Sequence, residues 1–220
     1  MTSLDVARAL PEISVLRDRC RALAMLDAVM SPEWDGRYYS FDSGWGPGEE
    51  MASLRNGSGD EWSIVFSPAG AFIRGFDHES EMSPFVRGGE LWPGLVEGVP
   101  DAFASCVTEP AFSREGTLSA TICLWRESGD DGWRAGPVAL PPGEDPDGAD
   151  WLFEVLVDGT PSGYQRFAEE YYETPADLRA ISAVFALDPL TEALVERLNP
   201  ETTVEELAGD IVQIGYPRLA

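Results

Sequence analysis

The chain has a single histidine, and it lies between two carboxylates in Asp77-His78-Glu79. Flanking negative charge favours the imidazolium, so His78 could serve as a general acid or base. With Arg74 just before it, the group could form a pocket at a sheet edge, as in a small enzyme or small-ligand binder. A serine hydrolase also needs a nucleophile on a sharp turn, and Gly-x-Ser-x-Gly does not occur. Ser58 and Ser162 lie near glycines at other spacings. One histidine cannot make a histidine-rich zinc site. A surface or structural histidine at a strand end accounts for the same residues more simply.

Two further stretches carry candidate chemistry. Residues 42–50, DSGWGPGEE, read as an acidic loop with Trp45 between glycines and Asp42, Glu49 and Glu50 around it. Large aromatics are enriched at binding hot spots, so Trp45 could anchor a partner; otherwise the indole folds back on the neighbouring strands. Residues 143–154, GEDPDGADWLFE, can be laid on a calcium loop, with Asp145, Asp147, Gly148 and Glu154 at the third, fifth, sixth and twelfth positions. The first position, where an acid is needed, is Gly143, and Pro141-Pro142 does not suit an incoming helix. Asp150 capping a helix over 151–157 explains these residues without a metal. No phosphate-binding or dinucleotide glycine pattern and no CxxC occurs, so no cofactor and no metal is expected.

The elements that must position these groups follow from period and punctuation. Residues 37–80 read as a meander of up to four antiparallel strands. Asn56-Gly57-Ser58-Gly59-Asp60 and Ser67-Pro68-Ala69-Gly70 are turns, with glycines for positive φ and proline to preset it. Trp62, Ile64 and Phe66 alternate with Ser63, Val65 and Ser67, giving one apolar and one mixed face. Phe72, Arg74 and Phe76 share a face of the next strand, and Tyr38, Tyr39 and Phe41 supply the first. Ahead of the meander, Ser3 caps a short helix and Pro11 opens a longer one to Met30. Its buried stripe is Ile13, Leu16, Cys20, Leu23, Leu26 and Met30.

Beyond residue 77 the chain is rich in glycine and proline, with one short helix over 101–107. Residues 117–127 alternate cleanly as a strand, and the matched pairs Trp125-Arg126 and Trp133-Arg134 suggest a hairpin. The Pro/Gly/Asp-rich stretch 136–150 is the best candidate boundary, between a helix-plus-sheet region (1–140) and a helical region (141–220) expected to pack on the first as one compact unit. Helix starts are expected at Thr160, Thr174, Asp188 and Thr202, the last with Glu205 as a capping box. Their 14-residue spacing fits a compact cluster of short helices better than a repeat, because no side-chain signature recurs. The expected class is therefore α+β: an N-terminal helix packed on an antiparallel β-meander, followed by a cluster of short C-terminal helices.

Composition limits the partners. The 220 residues are 44% hydrophobic and 10% aromatic, enough for a sizeable core. The net charge is −24, and all fifteen cations are arginine; the missing lysine reads as high-GC codon usage. Residues 141–220 hold seventeen of the 39 acids and four of the arginines. Such a surface repels nucleic acid and anionic lipid and attracts a basic partner, although acidity also serves solubility alone. Cys20, Cys106 and Cys123 sit far apart in apolar surroundings, as buried thiols of a reducing compartment do. Neither a signal-peptide core nor a run of about 20 apolar residues is present, so a cytoplasmic location is expected.

The run YYSFDSGWGPGEEMASLRNGSGDEWSIVFSPAGAFIRGFDHE, with LWRESGDDGW and EDPDGADWLF later, resembles an uncharacterised family of acidic cytoplasmic proteins from high-GC bacteria. That resemblance implies no activity. By size and charge alone the chain is also analogous to acidic immunity factors that neutralise secreted toxins. The leading expectation is a non-enzymatic acidic protein-binding module that engages a basic protein through its acidic surface and the Trp45 loop, as an immunity-like partner of a basic protein would. The competing class is the small enzyme or ligand binder around His78, Asp77 and Glu79. A self-associating scaffold is the third.

Overall fold

The computed structural model describes residues 1–218. The chain is α+β, with N-terminal helices, a four-stranded antiparallel meander and then short C-terminal helices. Two N-terminal helices, α1 (Ser3–Ala9) and α2 (Ile13–Met30), precede β1 (Tyr39–Gly46), β2 (Glu49–Arg55), β3 (Glu61–Ser67) and β4 (Gly70–Phe76). After a long irregular segment come α3 (Ala104–Val107), β5 (Ser113–Arg114), β6 (Thr117–Leu118), β7 (Ile122–Glu127) and β8 (Arg134–Ala135). Helices α4 (Ala149–Asp158), α5 (Pro161–Tyr171), α6 (Leu178–Phe185), α7 (Glu192–Leu198) and α8 (Ala208–Ile214) complete it. No helix among the described residues is long and apolar enough to cross a membrane.

Contacts divide the chain into two interleaved units, so the division does not fall at residue 140. Met1–Ile13 and Ser53–Val157 form the first; Ser14–Ala52 and the chain from Asp158 form the second. Residues 136–157 stay with the first unit because they pack within it. Trp92 Nε1 donates to the Ala139 carbonyl at 3.0 Å, and a Cβ on Gly136 would lie 1.9 Å from the Gly94 carbonyl oxygen.

In the first unit β4 pairs antiparallel with both β3 and β7, and β7 with β8. The turn between β3 and β4 is as short as its proline suggests, with Ser67 opposite Gly70. Gly70 has φ +143°, and a Cβ there would lie 2.1 Å from the Arg126 carbonyl oxygen, so only glycine lets β4 start against β7. The alternating pattern of β3 suggested one mixed face; instead Ser63 and Val65 are buried along with Trp62, Ile64 and Phe66. Both faces of the sheet are covered. Helix α4 lies on the Trp62 side, where Phe153 stacks on the indole at 6.2 Å and the Leu152 carbonyl accepts from its Nε1 at 3.0 Å. On the opposite face Phe103 packs on Phe72 and Phe85 on Phe76, both rings supplied by the irregular segment.

That two-sided cover also breaks the strand expected over 117–127. Thr117–Leu118 pairs with Ser113–Arg114 in a separate ribbon, and only Ile122–Glu127 joins the sheet. Between them, the Ser119 amide donates to the Phe112 carbonyl at 2.8 Å and the Thr121 amide to that of Gly75 at 2.9 Å. Backbone groups that change partner satisfy themselves locally, which alternation alone cannot reveal. The hairpin read from the two Trp-Arg pairs is present, with Trp125 opposite Arg134.

In the second unit α2 buries Leu16 and Cys20 and then every residue from Ala22 to Val29, where a single stripe was expected, while Ile13 and Met30 are half-buried. The helical ends shift relative to the sequence reading, and each shift has a local cause. Thr2 rather than Ser3 caps α1, with the Asp5 carboxylate accepting from its amide (3.0 Å) and hydroxyl (2.8 Å). Thr160 caps α5 as expected. Asp177, not Thr174, caps α6, because one carboxylate oxygen accepts from two first-turn amides, Arg179 and Ala180, at 2.9 Å each. Asp188 still belongs to the exit of α6, its amide donating to the Ala183 carbonyl, so Thr191 caps α7. The capping box before α8 is Thr203 with Glu206, not Thr202 with Glu205.

Candidate functional site

The pairing of Glu61 with Phe76 brings the residues flanking them, Asp60 and Asp77, together at the open end of the β3–β4 ladder. The loop before Asp60 is held by Asn56, whose Oδ1 accepts from the amides of Ser58 (2.8 Å) and Asp60 (3.1 Å) and whose Nδ2 donates to Asp60 Oδ2 (2.7 Å). Asp60 Oδ1 then receives the His78 amide at 2.8 Å and lies 2.6 Å from His78 Nδ1. The sequence offered Asp77 and Glu79 as the carboxylates acting on the imidazole. The structure supplies a third, Asp60, as the dominant one. Its hydrogen bond holds the His78 pKa above 6.5, with Glu79 and Asp77 adding smaller attractions. Burial works against ionisation of Asp60, yet the hydrogen bonds from the His78 amide and ring and from Asn56 leave its pKa below the usual carboxylate value.

Asp77 is engaged differently. Its Oδ1 accepts from the amides of Glu79 (2.8 Å) and Ser80 (3.2 Å), and Gly148 packs against its side chain. Arg74 does not belong to this corner. It is 1% exposed, lies over the Phe112 ring, and donates to Glu61 Oε1 (2.8 Å), the Ser119 carbonyl (2.8 Å) and Ser63 Oγ (3.2 Å). This makes it a buried strut holding the break between β6 and β7 against the sheet. Donor atoms of Asp60, Asp77 and His78 lie within 4.8 Å of one another, the one such group among the described residues. Their oxygens already accept amide hydrogens, so the corner is built as a hydrogen-bonded lock, with the His78 side chain 43% exposed.

On the other side of the ladder's end a cleft of about 330 Å3 opens between Phe76, Phe85 and Phe112, with Arg55, Glu61 and Arg114 among the polar groups lining it. The Arg114 guanidinium sits over Phe85 at 5.3 Å, and Arg55 lies 3.9 Å from Glu61. Aromatic walls with a few charged groups suit a small ligand with a planar apolar part.

The other sequence candidates are placed as follows. Trp45 stands on β1, half-buried, and the only turn is Pro47-Gly48, with Gly48 at φ +77°, as a tight hairpin with proline first requires. The expected loop over 42–50 is therefore mostly strand. Asp42 accepts from the Gly44 amide at 2.9 Å, Glu49 is half-buried, and Glu50 pairs with Arg21 and, at 3.7 Å, with Arg17. Asp145, Asp147 and Glu154 do not converge. Asp145 accepts from the Asp150 amide, Asp147 is buried and holds the Ser3 amide at 2.9 Å, and Glu154 is exposed on α4. The role expected of Asp150, holding the start of α4, is taken by Asp145 and Asp147.

Asp27, which is not among the sequence candidates, is the most deeply buried acid of the second unit. It is 0% exposed and accepts from the amides of Tyr38 (2.9 Å) and Tyr39 (2.6 Å) and the hydroxyl of Tyr164 (2.7 Å). Tyr172 turns its hydroxyl toward the same carboxyl without good hydrogen-bond geometry. Burial pushes the Asp27 pKa up to about 6 despite these donors. The signal was available: Cys20, Leu23, Asp27 and Met30 follow the spacing of the buried stripe of α2. The group fastens the start of β1 to α2 and the aromatic cluster of Tyr39, Tyr164 and Phe167.

No family model, no curated protein and no solved structure matches the chain.

Proposed function

We propose that the protein is a non-enzymatic acidic binding module whose partner presents a basic surface. The observation that carries this reading is where the charges go. At least nine of the fifteen arginines are paired with acids of the same chain, and the 39 acids leave a net charge of −24 after every arginine is counted. The groups with chemical potential, Asp60, His78, Asp77 and Arg74, are engaged in holding the fold. A basic protein meeting such a surface gains in encounter rate and orientation, as an immunity-like factor facing a basic toxin would. The three buried thiols suit a reducing compartment. The test is affinity isolation from the native host, followed by reconstitution with the purified partner. A stoichiometric complex with a basic protein, weakened steeply by salt, is expected. An acidic partner, or a salt-insensitive complex, would refute the charge argument.

The aromatic cleft beside Asp60 favours a second reading, a small-ligand binder. A small aromatic acid that raises the melting temperature of the native chain but not of Phe112→Leu would move the function to that site.

A further inference from the structure

Helix α8 carries more apolar surface than this fold uses. Leu207, Ile211 and Ile214 are buried, as one inward stripe requires. Val204 in the turn just ahead of the helix, and Ala208 and Val212 on it, follow one another at four-residue spacing, and Val212 is 56% exposed. With Leu190 and Pro217 these side chains line an apolar groove of about 400 Å3, into which Arg218 also reaches. The groove lies within the second unit.

Its surroundings are strongly acidic. Residues 188–210 contain Asp188, Glu192, Glu196, Glu201, Glu205 and Glu206, besides Asp210, which Arg37 pairs; the one arginine of the stretch, Arg197, is paired with Asp177, and Arg218 is the one charged side chain in the groove lining itself. Glu192 Oε2 accepts from the amide of Val204 at 3.3 Å, which puts that carboxylate at the groove wall, and Glu205 and Glu206 follow Val204 directly. At the other end, the Tyr216 hydroxyl donates to the Asp188 carbonyl at 2.9 Å, bringing Asp188 close to Pro217. An apolar trough with an acidic rim selects its occupant by charge. A second copy of this chain would bring −24 against −24, and an anionic lipid surface or a nucleic acid would be repelled likewise.

We infer that this groove docks an amphipathic basic segment of a partner protein, with aliphatic side chains lying on Val204, Ala208 and Val212 and Lys or Arg residues facing Glu192, Glu205 and Glu206. The inference rests on the proposed function and gives it a place. Helix-in-groove recognition of this kind takes its affinity from apolar anchors and its selectivity from the flanking charges.

The test uses the full chain and a fluorescent amphipathic peptide of about 18 residues built from leucine and lysine. Anisotropy is read at a salt concentration of about 0.15 M, where long-range attraction is screened. Two control peptides replace leucine by serine or lysine by glutamate. Saturable binding of the Leu/Lys peptide is expected, with affinity falling roughly tenfold or more in Val212→Asp, the loss set by one aliphatic contact. Val86→Asp, the same change at a position 64% exposed in the other unit, should bind as the parent does. The added negative charge would strengthen a purely electrostatic complex, so weakening in Val212→Asp reports the groove. The Lys/Ser peptide should bind at least as weakly as the Leu/Lys peptide does to that variant. Equal binding by both variants and the parent would overturn the groove and leave the acidic docking reading standing. Absence of binding by both lysine peptides would overturn both, and equal binding of the Leu/Glu peptide would overturn the charge selectivity.

Discussion

Replacing Asp27 by asparagine should change how stability depends on pH, in a direction opposite to that of most carboxylates. Asp27 is 0% exposed, and burial raises its pKa from 3.8 to about 6. Between those values the folded chain holds a proton that the unfolded chain has lost. Stability contributed at this site is therefore complete below the unfolded value and falls as pH rises, and the penalty is fully developed above about pH 6. A gap of that size corresponds to about 3 kcal/mol, of which roughly 2 kcal/mol develops between pH 4 and 7. Asparagine keeps an oxygen for the Tyr39 amide but carries no titrating proton. The parent should thus lose about 2 kcal/mol relative to Asp27→Asn on going from pH 4 to 7, whatever the variant's absolute stability. Urea unfolding of both proteins across this range measures the difference, and the contributions of the other carboxylates cancel in it. Parallel curves would refute the argument. If the parent instead gained on the variant with rising pH, the amide and tyrosine donors would have outweighed burial, and Asp27 would be ionised throughout.

Two glycines on the same meander should respond differently to alanine. At Gly70 the new Cβ would meet the Arg126 carbonyl at 2.1 Å and the Glu127 Cα at 2.8 Å, both backbone atoms that cannot turn aside, and a loss of about 3 kcal/mol or more in urea unfolding is expected. At Gly57, with φ +76° and nothing within 4 Å, only the left-handed backbone is penalised, at about 1 kcal/mol. Asp60→Asn keeps an acceptor oxygen but removes the carboxylate charge behind the hydrogen bond that raises the His78 pKa, so the ring should titrate nearer 6.5 by proton NMR. In the parent, the His78–Asp60 link stabilises the fold below 6.5, down to the pH at which the Asp60 carboxylate takes up its proton, and is lost as pH rises through the raised folded value of the ring, so the variant should differ most from the parent in mild acid. A His78 titration unchanged by Asp60→Asn would show that its sequence neighbours, not Asp60, set its charge.

Much of the architecture is legible because it is encoded by neighbours. The turns at residues 56–60 and 67–70 and the alternation between them place β3 and β4, the stripe from Leu16 to Met30 places α2, and Thr160-Pro161 opens α5. The helix starts at Thr174, Asp188 and Thr202 fail for a common reason. A threonine or aspartate ahead of a helix can cap, before proline as at Thr174 and Asp188 or without one as at Thr202, but whether it does depends on where the preceding helix ends and which side chain reaches the free amides. Asp177 and Thr191 win that competition.

The site was less legible. The lone histidine and its adjoining acids stand out in the chain, but its governing partner, Asp60, is eighteen residues away and is brought to it by the register of β3 against β4. Arg74 reads as a site residue until Ser119, Ser63 and Glu61 close around it. What the sequence alone determined is charge, local turns and periodic faces, since each depends on residues a few positions apart. Which face would be covered twice, which carboxylate would be stripped of water, and which apolar stripe of α8 would be left open were decided only by tertiary packing. Those outcomes depend on contacts between segments distant in the chain, and dihedral preference and hydrophobic period carry no information about such contacts.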